Sequence, residues 1–330
     1  MINDFFKKFL TNNHIIDDYG LKYNHNYKNE IDKINNEFSA SLLNNKVLIK
    51  CNGADAENFL NTQFTNDIKN LNKEQIILSG YCNPKGRLIS IFYIFQIDKN
   101  YYLYTTLDSK ELLLKKLNMY KMMSKVEFTV LDEVLVGITN AKEHSKFNEL
   151  TKDSKKVNKV GNTIVFRPSE NQIIISSSIK DIEKIIDENE INILGYKSWD
   201  YLDIKNLVPF LNESNIESFT PQMVSLDLLD GVSFTKGCYP GQEIVARTHY
   251  LGEAKKSLFN ANIKTNDELS ISSKITNKNN KGAGDIINLA RTEDSSYSCL
   301  SVLRKEFVDD ELLINEKDIL NVISGVSNNG

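Results

Sequence analysis

Tryptophan, cysteine, proline and arginine are all scarce in this 330-residue sequence. There is one tryptophan, and five of the 40 basic residues are arginine, so lysine carries almost all of the positive charge. The four cysteines form no C-x-x-C pair and are too few for a disulfide framework, which predicts reduced thiols. They are Cys51, Cys82, Cys238 and Cys299.

Long apolar runs are missing as well. A membrane-spanning helix needs about 18 consecutive apolar residues, whereas the best run here, Leu88 to Ile97, has the length of a buried strand. The first residues contain no apolar core of a secretory signal, so we expect a cytoplasmic protein without membrane partners. The net charge of -4 excludes a positive field over the whole surface, and direct nucleic-acid binding is not expected.

The order of short strands and helices predicts an α+β fold. Hydrophobic residues make up 41% and charged residues 25% of the chain, as in a globular protein. The predicted strands and helices lack the regular βαβ spacing of a doubly wound sheet, and no dinucleotide-binding glycine motif is present. From about residue 255 the pattern contains strands only. We therefore predict two units, an α+β core over residues 1–254 and a small β-domain over residues 255–330.

Particular segments predict particular elements. Leu88 to Ile97 and Tyr101 to Leu107 are rich in β-branched and aromatic residues and predict a hairpin. A helix is expected from Ser109, as its N-cap, to Met122. In the β-domain, Leu269 to Ile275 alternates as a strand does.

The segment from residue 229 to 254 contains four of the 15 glycines. Pro240 suits the first turn of a helix that runs through Glu243 to about Tyr250 and is closed by Gly252. Cys238 would then lie just before a helix N-terminus, where the helix dipole and the nearby Lys236 both favour the thiolate. This pattern makes Cys238 and Lys236 candidate catalytic residues.

Simpler interpretations remain open for the same residues. A single cysteine is more often buried packing than a reactive group. Glu243 and Arg247 are four residues apart on the predicted helix, so an intrahelical ion pair accounts for both of them. Trp199 on its own would be interpreted as a core aromatic residue.

The segment Lys236-Gly237-Cys238-Tyr239-x-Gly241-Gln242-Glu243-x-Val245-Ala246-Arg247 resembles the signature of the YgfZ family, folate-binding relatives of the glycine-cleavage T-protein. Further stretches are similar to that family in the same order along the chain, from about residue 40 to 260. They are Gly53 to Leu60 with Thr65-Asn66-Asp67, Asn83-Pro84-Lys85-Gly86-Arg87, and Trp199 leading to Pro209 and Phe219-Thr220-Pro221-Gln222.

The resemblance implies a ring of α+β subdomains around a central folate cleft, followed by a C-terminal β-barrel. It implies tetrahydrofolate or a one-carbon derivative as cofactor, with Trp199 at the ligand. The family's other folate-linked tryptophan corresponds to Lys46, which could attract the glutamate tail of a folate. The remaining motif residues would support the site: Tyr239, Gly241, Gln242, Glu243, Arg247 and Arg87. The implied partners are iron–sulfur enzymes, such as a tRNA methylthiotransferase, through which the protein would support tRNA modification.

Two functions remain open at this point. An aminomethyltransferase of the T-protein type needs a carboxylate where this chain has Ser90 and Ile91, so that reaction is disfavoured. A cluster held by about four thiolates is not expected from one well-placed cysteine, and the histidine spacing predicts no metal site. The chain is then either an accessory protein for iron–sulfur enzymes or a folate-dependent one-carbon transferase with Cys238 as nucleophile.

Overall fold

The computed structural model describes residue 7, residues 9–141 and residues 155–326 of the chain. Its helices are α1 (Tyr27–Asn36), α2 (Ala56–Gln63), α3 (Leu107–Tyr120), α4 (Ile179–Asp187), α5 (Tyr196–Lys205) and α6 (Gln242–Leu251). Its strands up to the middle of the chain are β1 (Ile15–Asp17), β2 (Gly20–Tyr23), β3 (Ser39–Leu42), β4 (Lys46–Asn52), β5 (Ile76–Cys82), β6 (Leu88–Ile97), β7 (Asn100–Thr106), β8 (Glu127–Val130) and β9 (Val134–Thr139).

The later strands are β10 (Lys156–Val160), β11 (Thr163–Ser169), β12 (Gln172–Ser177), β13 (Asn192–Leu194), β14 (Lys256–Lys264), β15 (Lys274–Asn277), β16 (Gly282–Glu293), β17 (Ser296–Arg304), β18 (Leu312–Ile314) and β19 (Asp318–Gly325). Short 3-10 helices cover Glu213–Asn215, Pro221–Val224 and Lys305–Phe307.

A five-stranded antiparallel sheet in the order β5-β6-β7-β4-β8 forms one layer of the core. One of its faces contributes Phe92, Ile94 and Leu103, which pack with residues of α2 and α3 such as Phe59 and Leu113. Alternation of side chains along each strand sends its other residues to the opposite face. That face, with Phe95 and Tyr104 among others, packs toward the centre of the molecule.

A six-stranded sheet in the order β10-β11-β12-β9-β3-β13 forms the second layer. Its only parallel pair among the described strands is β13 with β3. The ring of Phe166 on β11 contacts Phe95 and Tyr104 of the first sheet in tilted and edge-to-face arrangements, with ring centroids 4.9 and 5.3 Å apart. The two sheets therefore share one aromatic core.

The chain ends in a closed barrel, in the order β14-β17-β16-β15-β18-β19. Closure leaves no free strand edge, which removes a site for uncontrolled strand pairing. The barrel starts at Lys256, next to the predicted boundary at residue 254.

The α+β fold class and the C-terminal barrel are confirmed, and the hairpin of β6 and β7 has nearly the predicted limits. Two local predictions were wrong. Helix α3 begins at Leu107 with Thr106 as its N-cap, because Ser109 turns inward to a cluster of buried hydroxyl groups. Residues 270–273 form a turn, closed by the Ser273 N–H donating to the Ser270 oxygen, and β15 begins only at Lys274. No helix in the described ranges is long and apolar enough to span a membrane.

Candidate functional site

The loop before α6 is shaped by a close contact between two glycines. Gly241 has a φ of +78° and Gly86 one of +69°, the left-handed region that favours glycine. A Cβ on Gly241 would lie 2.5 Å from the Cα of Gly86 and from the main-chain oxygen of Asn83. Two motifs distant in sequence thus meet through their backbones. Pro240 lies before the helix, which begins at Gln242, so its predicted place in the first turn was wrong.

Lys236 fixes the start of this loop. Its side chain is buried, and its ammonium donates to the main-chain oxygens of Asn61, of Phe64 at 2.6 Å and of Asn66 at 3.0 Å. Asn61 lies in the last turn of α2, where unpaired carbonyls and the helix dipole attract a cation. Three acceptors match the three N–H groups of an ammonium. Lys236 therefore acts as a clamp on the end of α2 and does not offer a free N–H group to Cys238.

Further hydrogen bonds join the segment before Lys236 to the same end of α2. Thr65 Oγ1 donates to the oxygen of Gly231 at 2.7 Å, and the Ser233 N–H donates to the oxygen of Thr65 at 2.9 Å. The Asn66 amide donates to the oxygens of Asp230 and Leu78 at 2.6 and 2.8 Å. The motif Thr65-Asn66-Asp67 thus holds the loop that carries the thiol.

Cys238 is exposed, whereas the other three cysteines are buried. It borders a cleft of about 620 Å³, here called the thiol cleft, with Lys236 and Gly237; the remaining lining is polar and comes from α2 and the loop after it: Asn58, Asn61, Thr62, Asp67, Lys69 and Asn70. Burial raises the pKa of the other three thiols, Cys51, Cys82 and Cys299, to about 12. Cys238 is the thiol that solvent and a partner can reach.

The predicted activation of Cys238 by the helix dipole does not fit its position. The thiol precedes the first helical residue, Gln242, by four positions, and the dipole effect falls off within about one turn. The ammonium of Lys236 is directed to three carbonyls instead. Cys238 therefore differs from the other three cysteines in its exposure to solvent and in its place on a loop that hydrogen bonds hold fixed.

A second cleft is lined by Asn66, the residue before Asp67 of the thiol cleft. It has a volume of about 600 Å³ and is called the amide-lined cleft, because Asn66, Gln75, Gln172 and Asn206 line it. Tyr93 and apolar side chains, among them Ile77, Val208, Leu228 and Leu229, form much of its walls, and Lys155, Asp230 and Ser169 also line it. Gln172 is 2% exposed, and its Nε2 is buried without a hydrogen-bond partner of normal geometry among the described residues.

Lys46 belongs to a buried cluster of charges beside the aromatic core. Its ammonium lies 3.1 Å from Asp203 Oδ2, 3.6 Å from Asp200 Oδ1 and 4.2 Å from the centre of the Phe210 ring. Burial opposes its charge, but the two carboxylates outweigh burial and hold the pKa of Lys46 above its usual value. Its charge is compensated internally, so the predicted attraction for a glutamate tail is weakened.

The cluster continues toward the amide-lined cleft. Burial raises the pKa of Asp203 to about 6, against the attraction of Lys46. The Gln172 amide also helps to stabilise the Asp203 carboxylate, so Gln172 faces both the cluster and the cleft. Lys46 itself borders a different cavity, of about 270 Å³, next to the barrel.

Trp199 is a core residue in this structure. The indole is 1% exposed and lines neither the thiol cleft nor the amide-lined cleft. It packs against the backbone of Gly137, where an added Cβ would lie 2.3 Å from the indole ring. The predicted stacking of a ligand on Trp199 therefore has no accessible ring face here, and the simpler interpretation describes its surroundings.

The other motif residues hold the loop in place. Arg87 donates to the main-chain oxygen of Ser218 at 2.6 Å, and Tyr239 is buried with its ring 5.2 Å from the Lys236 ammonium. Glu243 and Arg247 are exposed and form no ion pair with each other, so the simpler interpretation of that pair was wrong. Gln242 is half-buried at the first position of α6.

The position that carries a carboxylate in a T-protein holds a hydroxyl cluster. Ser90 Oγ lies 2.9 Å from both Thr105 Oγ1 and Ser109 Oγ, and all three residues are fully buried. Such hydroxyl groups satisfy one another's hydrogen bonds and do not ionise near neutral pH, so they cannot act as a carboxylate does. The described residues contain no group of His, Cys, Asp and Glu side chains that could hold a metal ion.

Sequence reasoning missed Gln172, Asn206, Asp200 and Asp203. Isolated amides and carboxylates carry no spacing signal, and only the packing of β12 and α5 brings them together. Asp200 and Asp203 lie three residues apart on α5, a spacing that places two side chains on one helix face.

The fold is similar to that of the glycine cleavage system aminomethyltransferase T from Bartonella henselae. The TM-score is 0.78 at 12% sequence identity, and the match covers 98% of this chain and 96% of that chain. No family model matches the sequence.

Curated relatives show closer similarity in sequence. The tRNA-modifying protein YgfZ of Aliivibrio fischeri (strain MJ11) is 29% identical over 289 residues, 86% of this chain and 90% of the relative. The YgfZ proteins of Buchnera aphidicola (subsp. Schizaphis graminum) and Blochmanniella pennsylvanica are 34% and 32% identical, over 71% and 66% of this chain and 76% and 69% of their own lengths. With this identity, coverage and fold, the chain belongs to the YgfZ family.

Proposed function

We propose that this chain is a folate-binding accessory protein that supports iron–sulfur enzymes and thereby tRNA modification, with Cys238 as its working thiol. One observation carries the proposal. Lys236 holds the main chain of Asn66, and the side chain of Asn66 lines the amide-lined cleft. The thiol loop and the cleft are thus joined through a single residue. Relatives named as tRNA-modifying proteins support the link to tRNA.

The chemistry of the amide-lined cleft fits a folate. A pterin ring has two flat apolar faces and an edge of hydrogen-bond donors and acceptors. Leucine and valine side chains of the cleft suit the faces. Gln172 Nε2, the second N–H group of Asn206 and the side-chain oxygen of Asn66 suit the edge, because the Asn66 N–H groups and the other N–H group of Asn206 are bonded within the protein. The Nε2 of Gln172 is a buried donor whose contact with Asp203 lacks normal hydrogen-bond geometry, and a ligand acceptor would satisfy it. A volume of about 600 Å³ lies within the usual range of ligand pockets.

The residues around the cleft have separate tasks in this proposal. Gln172, Asn206 and Asn66 bind and orient the ring, which supplies or accepts a one-carbon unit when bound. Lys46 and Trp199 act from behind the cleft: Lys46 neutralises Asp203, which Gln172 faces, and Trp199 packs under the sheet that carries Gln172.

A single accessible thiol favours a transient role over a permanent metal cluster. Clusters are usually held by about four thiolates, and the other three cysteines are buried on separate strands: Cys51 on β4, Cys82 on β5 and Cys299 on β17. Cys238 can form one bond to a client or to a cluster in transit. The ammonium of Lys236 keeps the loop fixed while Cys238 forms this bond.

Cellular tRNA tests the role of the thiol. In a strain that lacks the gene, wild-type protein should restore methylthiolated tRNA, whereas Cys238→Ser should not. Thr235→Ser, an exposed substitution three residues earlier, is the matched control and should restore it. Full restoration by Cys238→Ser would overturn the role of Cys238. Turnover of a folate one-carbon unit by the purified protein, lost in Cys238→Ser, would favour the one-carbon transferase instead.

Calorimetry tests the folate site separately. Tetrahydrofolate should bind the full chain, and Gln172→Met should weaken binding by about tenfold, because one hydrogen bond in a desolvated site contributes roughly 1 to 1.5 kcal/mol. Asn58→Ala, in the thiol cleft, is the control and should bind like wild type. Absence of binding to the wild-type chain would remove folate from the proposal.

A further inference from the structure

A third cavity lies where the N-terminal hairpin β1–β2 meets the barrel. It has a volume of about 240 Å³ and shares no lining residue with the thiol cleft or the amide-lined cleft. Its cationic and aromatic side chains come from two helices and three strands. They are Lys22, Tyr23, Tyr27, Lys197, Arg291 and Tyr297. It is called the junction cavity below.

Positive charge dominates this lining. Three cations, Lys22, Lys197 and Arg291, face one carboxylate, the exposed Glu268. Lys197 is paired with Asp200 at 2.9 Å, but the nearest carboxylate to Lys22 is Asp17 at 3.9 Å. Arg291 forms no ion pair with any carboxylate of the described residues.

Arg291 is held in place by aromatic rings and main-chain groups. Its guanidinium lies 4.7 Å from the ring centre of Tyr27 and 5.4 Å from that of Tyr297. Nε donates to the oxygen of Glu293 at 3.4 Å and Nη2 to that of Asp294. The Tyr23 hydroxyl accepts a hydrogen bond from the main-chain N–H of Arg291 at 3.2 Å, which also fixes strand β16 at this point. A guanidinium has five N–H groups, so donors remain for a ligand.

We propose that the junction cavity binds a small organic oxyanion, a carboxylate or phosphate group on a compact ring or apolar body. A prearranged guanidinium matches the geometry of an oxyanion, and little side-chain entropy is lost when it binds. Apart from Glu268 and Ser270, the remaining walls are tyrosine, leucine and isoleucine side chains, which suit an apolar body. The volume is below the usual range for drug-sized ligands, which excludes a large ligand. The proposal does not depend on the proposed function.

The test is calorimetry on the full chain at constant ionic strength, with inorganic phosphate, benzoate and phenyl phosphate as probes. Benzoate or phenyl phosphate should bind saturably below about 10 mM, and the stronger of the two identifies the anionic group. Arg291→Met should weaken binding by about tenfold or more. Arg304→Met, an exposed barrel arginine paired with Glu306 at 3.5 Å, is the control and should bind like wild type.

Lys22→Met covers the case in which Arg291→Met does not fold, because Lys22 is a half-buried hairpin residue with 37% of its side chain accessible. It should weaken the binding of the same probe. No binding of any probe at about 10 mM, or binding unchanged in both variants, would overturn the proposal.

Discussion

The ammonium of Lys236 lies 3.0 Å from the main-chain oxygen of Asn66 and also donates to the oxygens of Asn61 and Phe64. The lysine of the Lys-Gly-Cys motif thus joins the loop that presents the thiol to the end of α2. A neutral side chain of similar length could not satisfy these three acceptors.

Lys236→Met should lower the free energy of unfolding by about 2 kcal/mol, because three buried carbonyls lose their donor while the cost of burying a charge disappears. It should also reduce methylthiolated tRNA, since the thiol loop is no longer fixed. Urea unfolding and tRNA analysis measure the two effects. Lys69→Met, an exposed lysine of the same cleft, is the control. Unchanged stability would show that Lys236 is not a clamp.

Gly241→Ala should destabilise the protein by about 1 to 3 kcal/mol. Its φ of +78° disfavours alanine, and the new Cβ would lie 2.5 Å from the oxygen of Asn83. Gly237→Ala, four residues earlier, adds a Cβ with no atom within 4 Å and should change little. Thermal unfolding compares the two variants, and equal melting temperatures would contradict the contact between the two motif turns.

One of the four thiols should react quickly with a thiol reagent in the native protein. Cys238 is exposed, whereas burial raises the pKa of Cys51, Cys82 and Cys299 to about 12 and excludes the reagent. Cys238→Ser should abolish the fast phase, and all four thiols should react after unfolding. A fast phase of two or more thiols would contradict the burial of the others.

Stability should fall between about pH 4.5 and 7 through Glu30. Burial raises the pKa of Glu30 from 4.5 to about 7, although Ser198 and three main-chain N–H groups donate to it. In this interval the native state retains a proton that the unfolded state has lost, so unfolding becomes more favourable as the pH rises, by about 3 kcal/mol in total. Below pH 4.5 both states are protonated, and above pH 7 both are ionised.

Glu30→Gln isolates this contribution, because glutamine does not titrate. The variant should be less stable at every pH, since its amide meets main-chain donors, but the fall from pH 4.5 to 7 should be smaller than in wild type. Urea unfolding at pH 5 and pH 7.5 measures the difference. Equal pH dependence in both proteins would contradict the prediction.

The fluorescence of Trp199 should resist quenching by iodide in the native state. The indole is 1% exposed and is the only tryptophan of the chain. Quenching should rise severalfold on unfolding, when water reaches the ring. Strong quenching of the native protein would show that a ring face is open to ligands after all.

The sequence by itself determined the α+β fold class, the C-terminal β-domain and the position of the loop around Cys238, whereas the barrel was implied by the family resemblance. Strand periodicity and glycine placement depend on local backbone geometry, which the sequence encodes directly. Cys238 and the glycines around it could be identified in this way. The hairpin of β6 and β7 follows from the same local preferences.

Only the tertiary structure decided what each candidate residue does. Whether Lys236 activates a thiol or clamps a helix depends on which carbonyls lie within reach, and these come from residues about 170 positions away in the chain. Whether Trp199, on helix α5, meets a ligand or the core depends on Gly137 of strand β9. The charge of Lys46 is compensated by two carboxylates of α5. Such outcomes are set by packing between distant segments, because burial and electrostatic partners are properties of the assembled core and not of local sequence.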